Sequence, residues 1–183
     1  MAMMSDKGSP VYIRFFESAD AEALLALHVS NRDFFQAYMS IRDESFFTLE
    51  AQSDIIRQWS DERSQDHRYA FGIFLAETDE LIGQVSLFNV IRGPVQKATM
   101  GYCLDQRHNR KGYASEAVRL VVDFAFKEAG LHRIEAGVMP RNGGSMRVLE
   151  KAGFRPEGLA RKNVKINGVW EDHQMFSLLD EDV

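Results

Sequence analysis

One cysteine, Cys103, among 183 residues has nothing to pair with inside the chain. An internal disulfide framework is excluded, and a reducing compartment fits. No apolar stretch approaches the ~20 residues that span a bilayer. The opening MAMMSDKGSP lacks an apolar core of signal-peptide length, so residues 1–10 are expected to form a loose segment ahead of a cytoplasmic domain. A net positive charge is missing too. The 22 Lys and Arg against 27 Asp and Glu leave −5, which disfavours nucleic acid and membrane surfaces as partners. The histidines His28, His67, His108, His132 and His173 never pair at i, i+4, nor do they join the cysteine in a ligand spacing, so no metal is expected. Repeats, low-complexity tracts and linkers are absent, and one domain over 11–183 follows.

What is present has the balance of a globular chain, 45% apolar and 27% charged. VYIRFF (11–16) alternates as a strand does. Residues 20–32 suit a helix and are followed by the aromatic cluster Phe34, Phe35, Tyr38 and Met39. Thr48 is placed to cap a helix through Ile55, Ile56 and Trp59. Three strand-like runs come next, 68–76, 81–90 and 97–104, joined by turn-rich connections. A helix over 113–129 ends at Gly130, and 132–138 reads as a short strand. Asn142 is placed to cap a second helix that Gly153 closes. The last quarter reads as a hairpin about Asn167-Gly168, the preferred type I′ pair. The order β-α-α-β-β-β-α-β-α-β-β predicts a mixed α/β sandwich around one sheet.

Within this frame QRHNRKGYASEA (106–117) stands out. Arg107, Arg110 and Lys111 lie in five residues with no acid among them, just before Gly112 and a helix. A helix start leaves backbone N–H groups unpaired at the positive end of the dipole. A glycine there admits a ligand close to the backbone, which makes an anion site, most naturally for phosphate. The Gly-Lys-Ser/Thr of a P-loop and the G-x-G-x-x-G of a dinucleotide fold are both missing. Read alone, the stretch is equally a solvated basic turn.

MPRNGGSMRVLEKAGF (139–154) adds a strand end, a capped helix and a closing Gly-Phe. Together the two segments resemble the acetyl-CoA site of the GNAT N-acetyltransferases, in which [QR]-x-x-G-x-[GA] cradles the CoA pyrophosphate. IRDESFF (41–47), SLFNVIRG (86–93), MGYCL (100–104) and INGVWEDH (166–173) extend the likeness over nearly the whole chain, and it is closest to the RimJ/RimL branch, which acetylates protein N-termini. The resemblance implies a single-domain α/β fold with a mixed, mostly antiparallel sheet, flanking helices and central strands splayed at the CoA site. It also implies an acetyl-CoA-dependent transferase that is a monomer or homodimer.

Carried over by position, the pattern falls on Asn109, Gly112 and Ala114, with Asn109 standing where Gln or Arg is usual. The resemblance implies that backbone N–H groups of Arg110, Lys111, Gly112, Tyr113 and Ala114 contact the pyrophosphate, with Arg107 adding charge. It implies that Tyr102 and Leu104 pair their backbone with the pantetheine, that Asn142 lies beside it, and that an amide near Cys103 meets the oxyanion. The family's usual Tyr acid, seven residues after this Asn, is here Leu149, which leaves Ser145 or water to protonate the thiolate. Cys103 itself is expected to be a buried hydrophobe and not a nucleophile. Phe34, Phe35, Tyr38, Phe88, Asn89 and Arg92 lie in segments that form the acceptor groove of this branch.

No carboxylate occurs over 96–104, where the family often places its base; Glu135 and Asp172 are the remaining candidates. A neutral amine costs about 4.6 kcal/mol at pH 7 for lysine, with pKa ~10.4, but about 1 kcal/mol for an α-amine near ~7.7–8.0. A site without a strong base therefore favours α-amines. The expected activity is direct acetyl transfer to a protein N-terminus. The alternatives are a small-molecule amine as acceptor, or a non-catalytic CoA-binding module.

Overall fold

Alternation along the first strand decides which side of the sheet each residue serves. Val11 and Ile13 are buried against one set of helices and Tyr12 against the other. The computed structural model describes residues 3–183. Its strands are β1 (Val11–Phe15), β2 (Arg68–Leu75), β3 (Leu81–Ile91), β4 (Lys97–Leu104), β5 (Arg133–Val138), β6 (Arg155–Ile166) and β7 (Val169–Leu179). They form one seven-stranded sheet in the order β1-β2-β3-β4-β5-β7-β6. Only β4 and β5 pair in parallel; every other neighbour is antiparallel.

Helices cover both faces, as the mixed α/β pattern predicts. On one face lie α4 (Tyr113–Asp123), whose last turns widen to a π-helix over Phe124–Glu128, and α5 (Gly143–Lys151). Ala117, Val118 and Val121 of α4 and Leu149 of α5 are fully buried there with Ile13, Phe71 and Ile134. Each such Val or Leu contributes about 1.5–3 kcal/mol by leaving water. Leu149, where the family places an acid, is thus core. On the other face lie α1 (Ala21–Ser30), the short α2 (Arg32–Gln36) and α3 (Leu49–Ser64). Thr48 caps α3 by accepting from the Ala51 N–H at 3.2 Å, and Asn142 caps α5 by accepting from the Ser145 N–H at 3.2 Å.

Where one helix was expected over 20–32, the chain stops at buried Asn31 and restarts as α2. The Asn31 amide donates to the Leu27 carbonyl at 3.0 Å, and its oxygen accepts from the Gln106 N–H at 2.9 Å. The break thereby fastens the helical face to the turn that precedes α4. The N-terminal segment also departs from expectation. Met4 exchanges two backbone hydrogen bonds of 2.9 Å with Ile13, and Asp6 pairs with Arg119. An edge strand offers unpaired backbone groups, and β1 is one. Residues 1 and 2 lie outside the described residues.

The feature that matters most for function is a wedge between β4 and β5. They pair only at Lys97–Arg133, Ala98–Ile134 and Thr99–Glu135, although β4 runs on to Leu104 and β5 to Val138. Meanwhile β4 stays paired with β3 out to Gly83–Leu104, and β5 with β7 out to Val138–Gln174. The closed end is pinned by Glu135, which accepts from Lys97 at 3.0 Å and from Arg133 at 2.9 Å.

Candidate active site

Backbone groups along β4 point alternately to its two neighbours. The Asp105 N–H donates to the Ile82 carbonyl at 2.7 Å. In the same register Cys103 is opposite Gln84 and turns its N–H and C=O toward β3. Tyr102 and Leu104 fall on the alternate positions and face the wedge. That corrects one expectation and supports another: the Cys103 amide is not on the open side, whereas the Tyr102 and Leu104 backbones are. The Cys103 thiol lies in the core on the α1–α3 face, and burial pushes it up to about 12. It is no nucleophile at neutral pH.

The loop after β4 delivers the helix start. Asp105 accepts from the Arg107 N–H at 2.9 Å, and the Arg107 guanidinium folds back onto the same carboxylate at 2.6 Å and reaches Glu80 at 3.2 Å. Burial alone would raise the Asp105 carboxyl, but the Arg107 bonds outweigh it and hold it below the usual range. Arg107 is therefore committed to Asp105, contrary to its expected place among the phosphate contacts. Arg110 and Lys111 form no ion pair among the described residues, and the Lys111 ammonium sits 5.9 Å from the centre of the Tyr113 ring. Arg110 and Gly112 have φ of 65° and 87°. The space where a Cβ on Gly112 would stand is open, and no side chain caps the start of α4. Asn109 is extended just before this start.

At the other end of the wedge a cavity of about 710 Å³ opens between the sheet and the α1–α3 segments. Tyr102, Asn142 and Ser145 meet in its wall, and the Tyr102 hydroxyl lies 2.8 Å from the Ser145 hydroxyl. Burial pushes the Tyr102 phenol up to about 12, with the Ser145 bond opposing weakly. The phenol keeps its hydrogen throughout the neutral range. Its side chain was missed from sequence, where only the backbone of Tyr102 was assigned a role.

Of the expected groove residues, Phe35, Tyr38 and Phe88 line the cavity. Phe34, Asn89 and Arg92 do not. Phe34 packs on the helical core, and Asn89 turns at a β-bulge with φ of 51°. Arg92 donates to Asp66 at 2.6 Å and to the Ala129 carbonyl at 2.7 Å, so its charge is already matched. Gln84 and Ser86 precede Phe88 on the same face of β3. Polar residues at alternate positions of an apolar strand were the legible signal for this wall. Gly101, opposite Ser86, lets the Phe88 ring lie close: a Cβ there would stand 3.2 Å from the ring, a tight contact. Arg32 and Arg42 from the helical side and Arg68 at the start of β2 also line the cavity, Arg32 and Arg68 being paired with Glu44 and Glu62; no Asp or Glu lines the cavity itself. Glu135 is the pin of the closed end, held below the usual carboxylate range because Arg133 and Lys97 outweigh its burial. Asp172 accepts from the Lys162 N–H at 2.7 Å. Neither candidate base enters the cavity.

Residues 11–155 match the family model described as "Acetyltransferase (GNAT) domain". The chain belongs to the GNAT acetyltransferase family. "Probable N-acetyltransferase YjcK" of Bacillus subtilis (strain 168) is 58% identical over 176 residues, covering 96% of this chain and 97% of that protein. Among solved structures, the ribosomal-protein-S5-alanine acetyltransferase of Vibrio fischeri superposes with a TM-score of 0.91 at 32% identity, over 97% of both chains. Mycobacterium smegmatis RimJ in complex with CoA-disulfide also gives 0.91, at 26% identity, over 100% of this chain and 88% of that one.

The protein is accordingly an acetyl-CoA-dependent N-acetyltransferase. Its own features fit the cosubstrate. A splayed strand offers unpaired amides for an extended amide-bearing arm, and a glycine-opened helix start beside two unmatched cations suits a pyrophosphate. No helix of the described residues is long and apolar enough to cross a membrane.

Proposed function

We propose that this enzyme acetylates the N-terminal α-amine of a protein. The observation that carries the reading is the cavity wall, which holds no carboxylate; of its arginines, Arg32 and Arg68 are matched by Glu44 and Glu62, and Arg42 has no ion pair among the described residues. A lysine side chain would arrive as an ammonium with no carboxylate in the wall to take its proton, about 4.6 kcal/mol from its neutral form at pH 7. An α-amine needs only about 1 kcal/mol. The likeness to the Vibrio fischeri ribosomal-protein-S5-alanine acetyltransferase supports the same acceptor class. A cytoplasmic setting is in keeping with the one, unpaired cysteine.

In this reading the N–H groups at Arg110–Ala114, with the Arg110 and Lys111 charges, hold the pyrophosphate. The Tyr102 and Leu104 backbones pair with the pantetheine, and Asn142 flanks it. An amide on the open side of β4 steadies the developing oxyanion, in place of Cys103. The amine attacks the thioester carbonyl directly, without a covalent enzyme intermediate. Ser145 hands a proton to the departing thiolate and is backed by the Tyr102 hydroxyl. The cavity's size also admits a small anionic amine, which is the second reading.

Thiol release from acetyl-CoA with a panel of acceptors tests this. Turnover with free α-amino peptides and none with α-blocked lysine peptides is expected. Turnover confined to small amines would replace the reading with the second one.

A further inference from the structure

An ammonium has no lone pair with which to attack, so the transfer requires an acceptor for one proton. No carboxylate lines the cavity, and Glu135 and Asp172 are bound elsewhere. The nitrogen bases in its wall are two imidazoles, His28 and His173. His28 stands edge-on to Phe35 and Phe46, with ring centres at 6.1 and 5.0 Å. Burial drives it down to about 4, with Arg42 adding to the effect, so it binds a proton poorly near neutrality.

His173 is placed differently. It lies on β7 opposite Ala160 of β6 and beside Gly137 of β5, where a Cβ would stand 3.5 Å from its ring. Its Nδ1 is 3.3 Å from the Glu171 carbonyl oxygen. A carbonyl only accepts, so Nδ1 carries the hydrogen and the neutral ring keeps its lone pair on Nε2.

We propose that His173 is the catalytic base, its Nε2 taking the proton that the attacking amine loses. The inference rests on reading the cavity as the amine site, but not on which amine enters. As the C–N bond forms, the N–H pair stays on nitrogen and the proton passes to Nε2. The C–S bond breaks, and the thiolate takes its proton from Ser145; Ser145 takes one from Tyr102, and Tyr102 takes one from solvent. His173 then returns its proton to solvent.

The charges about it are consistent with this role. Glu171 on the same strand is paired with Arg141 at 2.8 Å, and Asp172 is bound to the Lys162 N–H. The other titratable groups of the wall are Tyr38, Tyr102, His28, Arg32, Arg42 and Arg68, with Arg32 and Arg68 paired to Glu44 and Glu62. An imidazole is also matched to α-amines, being a base of moderate strength that changes charge between about pH 5 and 8.

The test is the pH profile of turnover with two acceptors whose amines differ in basicity. A limb set by the substrate moves with the acceptor, whereas a limb set by His173 stays. The wild type is expected to show the fixed limb. His173→Gln should lack it, with kcat lower by about 100- to 1,000-fold and the acetyl-CoA Kd unchanged. His173→Ala should regain turnover in added imidazole. Wild-type kcat in His173→Gln, or a fixed limb that survives the change, would overturn the proposal. If glutamine prevents folding, seen as lost acetyl-CoA binding, the wild-type profile decides: no fixed limb, no histidine base. Turnover of small amines alone would end the N-terminal reading, and the profiles would then be recorded with those amines.

Discussion

The Tyr102 phenol sits within hydrogen-bonding distance of two oxygens of one residue, the Ser145 hydroxyl at 2.8 Å and the Ser145 carbonyl at 3.0 Å. A phenol has one hydrogen to give, and a carbonyl can only accept. Before reaction that hydrogen can rest on either oxygen. Once Ser145 gives its own hydrogen to a thiolate, the Tyr102 hydrogen is the one that can follow. The pair joins β4, one side of the wedge, to the first turn of α5, the helix that follows β5.

This arrangement predicts coupled losses. Tyr102→Phe and Ser145→Ala should each lower kcat by about 10-fold or more while leaving the acetyl-CoA KM nearly unchanged. The double variant should lose little beyond the worse single one, since residues acting as one unit are not additive. Thiol-release kinetics on the four proteins checks it, and fully additive losses would separate the two hydroxyls.

The basic entrance divides into two kinds of charge. Reversing Arg110 and Lys111 to Glu should raise the acetyl-CoA KM at least about 10-fold, with the effect shrinking as salt rises. Arg107→Gln should leave that KM nearly untouched and instead lower Tm, because it strips the partner from buried Asp105. Equal KM effects at all three positions would contradict the division.

Much of this was legible in the sequence, and the gaps have physical causes. Helix caps at Thr48 and Asn142, the Asn167-Gly168 turn and the strand periods are local signals, and they appear as read. The glycine-opened helix start after 106–112 was legible, but its reading as a phosphate cradle came from the family resemblance that 139–154 completes. Pairing partners were not legible: nothing in 106–117 says that Arg107 returns to Asp105, or that Arg92 reaches back to Asp66. Nor does strand sequence fix which backbone groups face a gap, and so Cys103 was expected on the side of the wedge although its backbone turns to β3. His28 and His173 were counted and dismissed for metal, because only folding brings 28 and 173 to one wall.

His28 makes stability depend on pH. Its folded pKa, about 4, lies below the ordinary 6.5. The unfolded chain therefore binds more protons between those values, and stability falls as pH drops through that window. It is fully present above pH 6.5 and loses about 3 kcal/mol by pH 4. His28→Leu should flatten this part of the urea-unfolding profile; an unchanged slope would locate the dependence elsewhere.

Cys103 should be dispensable. Cys103→Ala is expected to keep kcat within about threefold of wild type and to form no acetyl-enzyme, at a cost in stability from the small cavity left in the core. A stable acetyl group on the wild-type thiol, seen by mass spectrometry of the intact protein, would contradict direct transfer.

The most direct test uses one peptide that carries both kinds of amine, a free N-terminus and an internal lysine, incubated with enzyme and acetyl-CoA. Fragmentation mass spectrometry then locates the added acetyl group. The arginine-lined, carboxylate-free cavity predicts acetylation at the α-nitrogen with the lysine unmodified. Acetyl found on the lysine, with the N-terminus free, would contradict it.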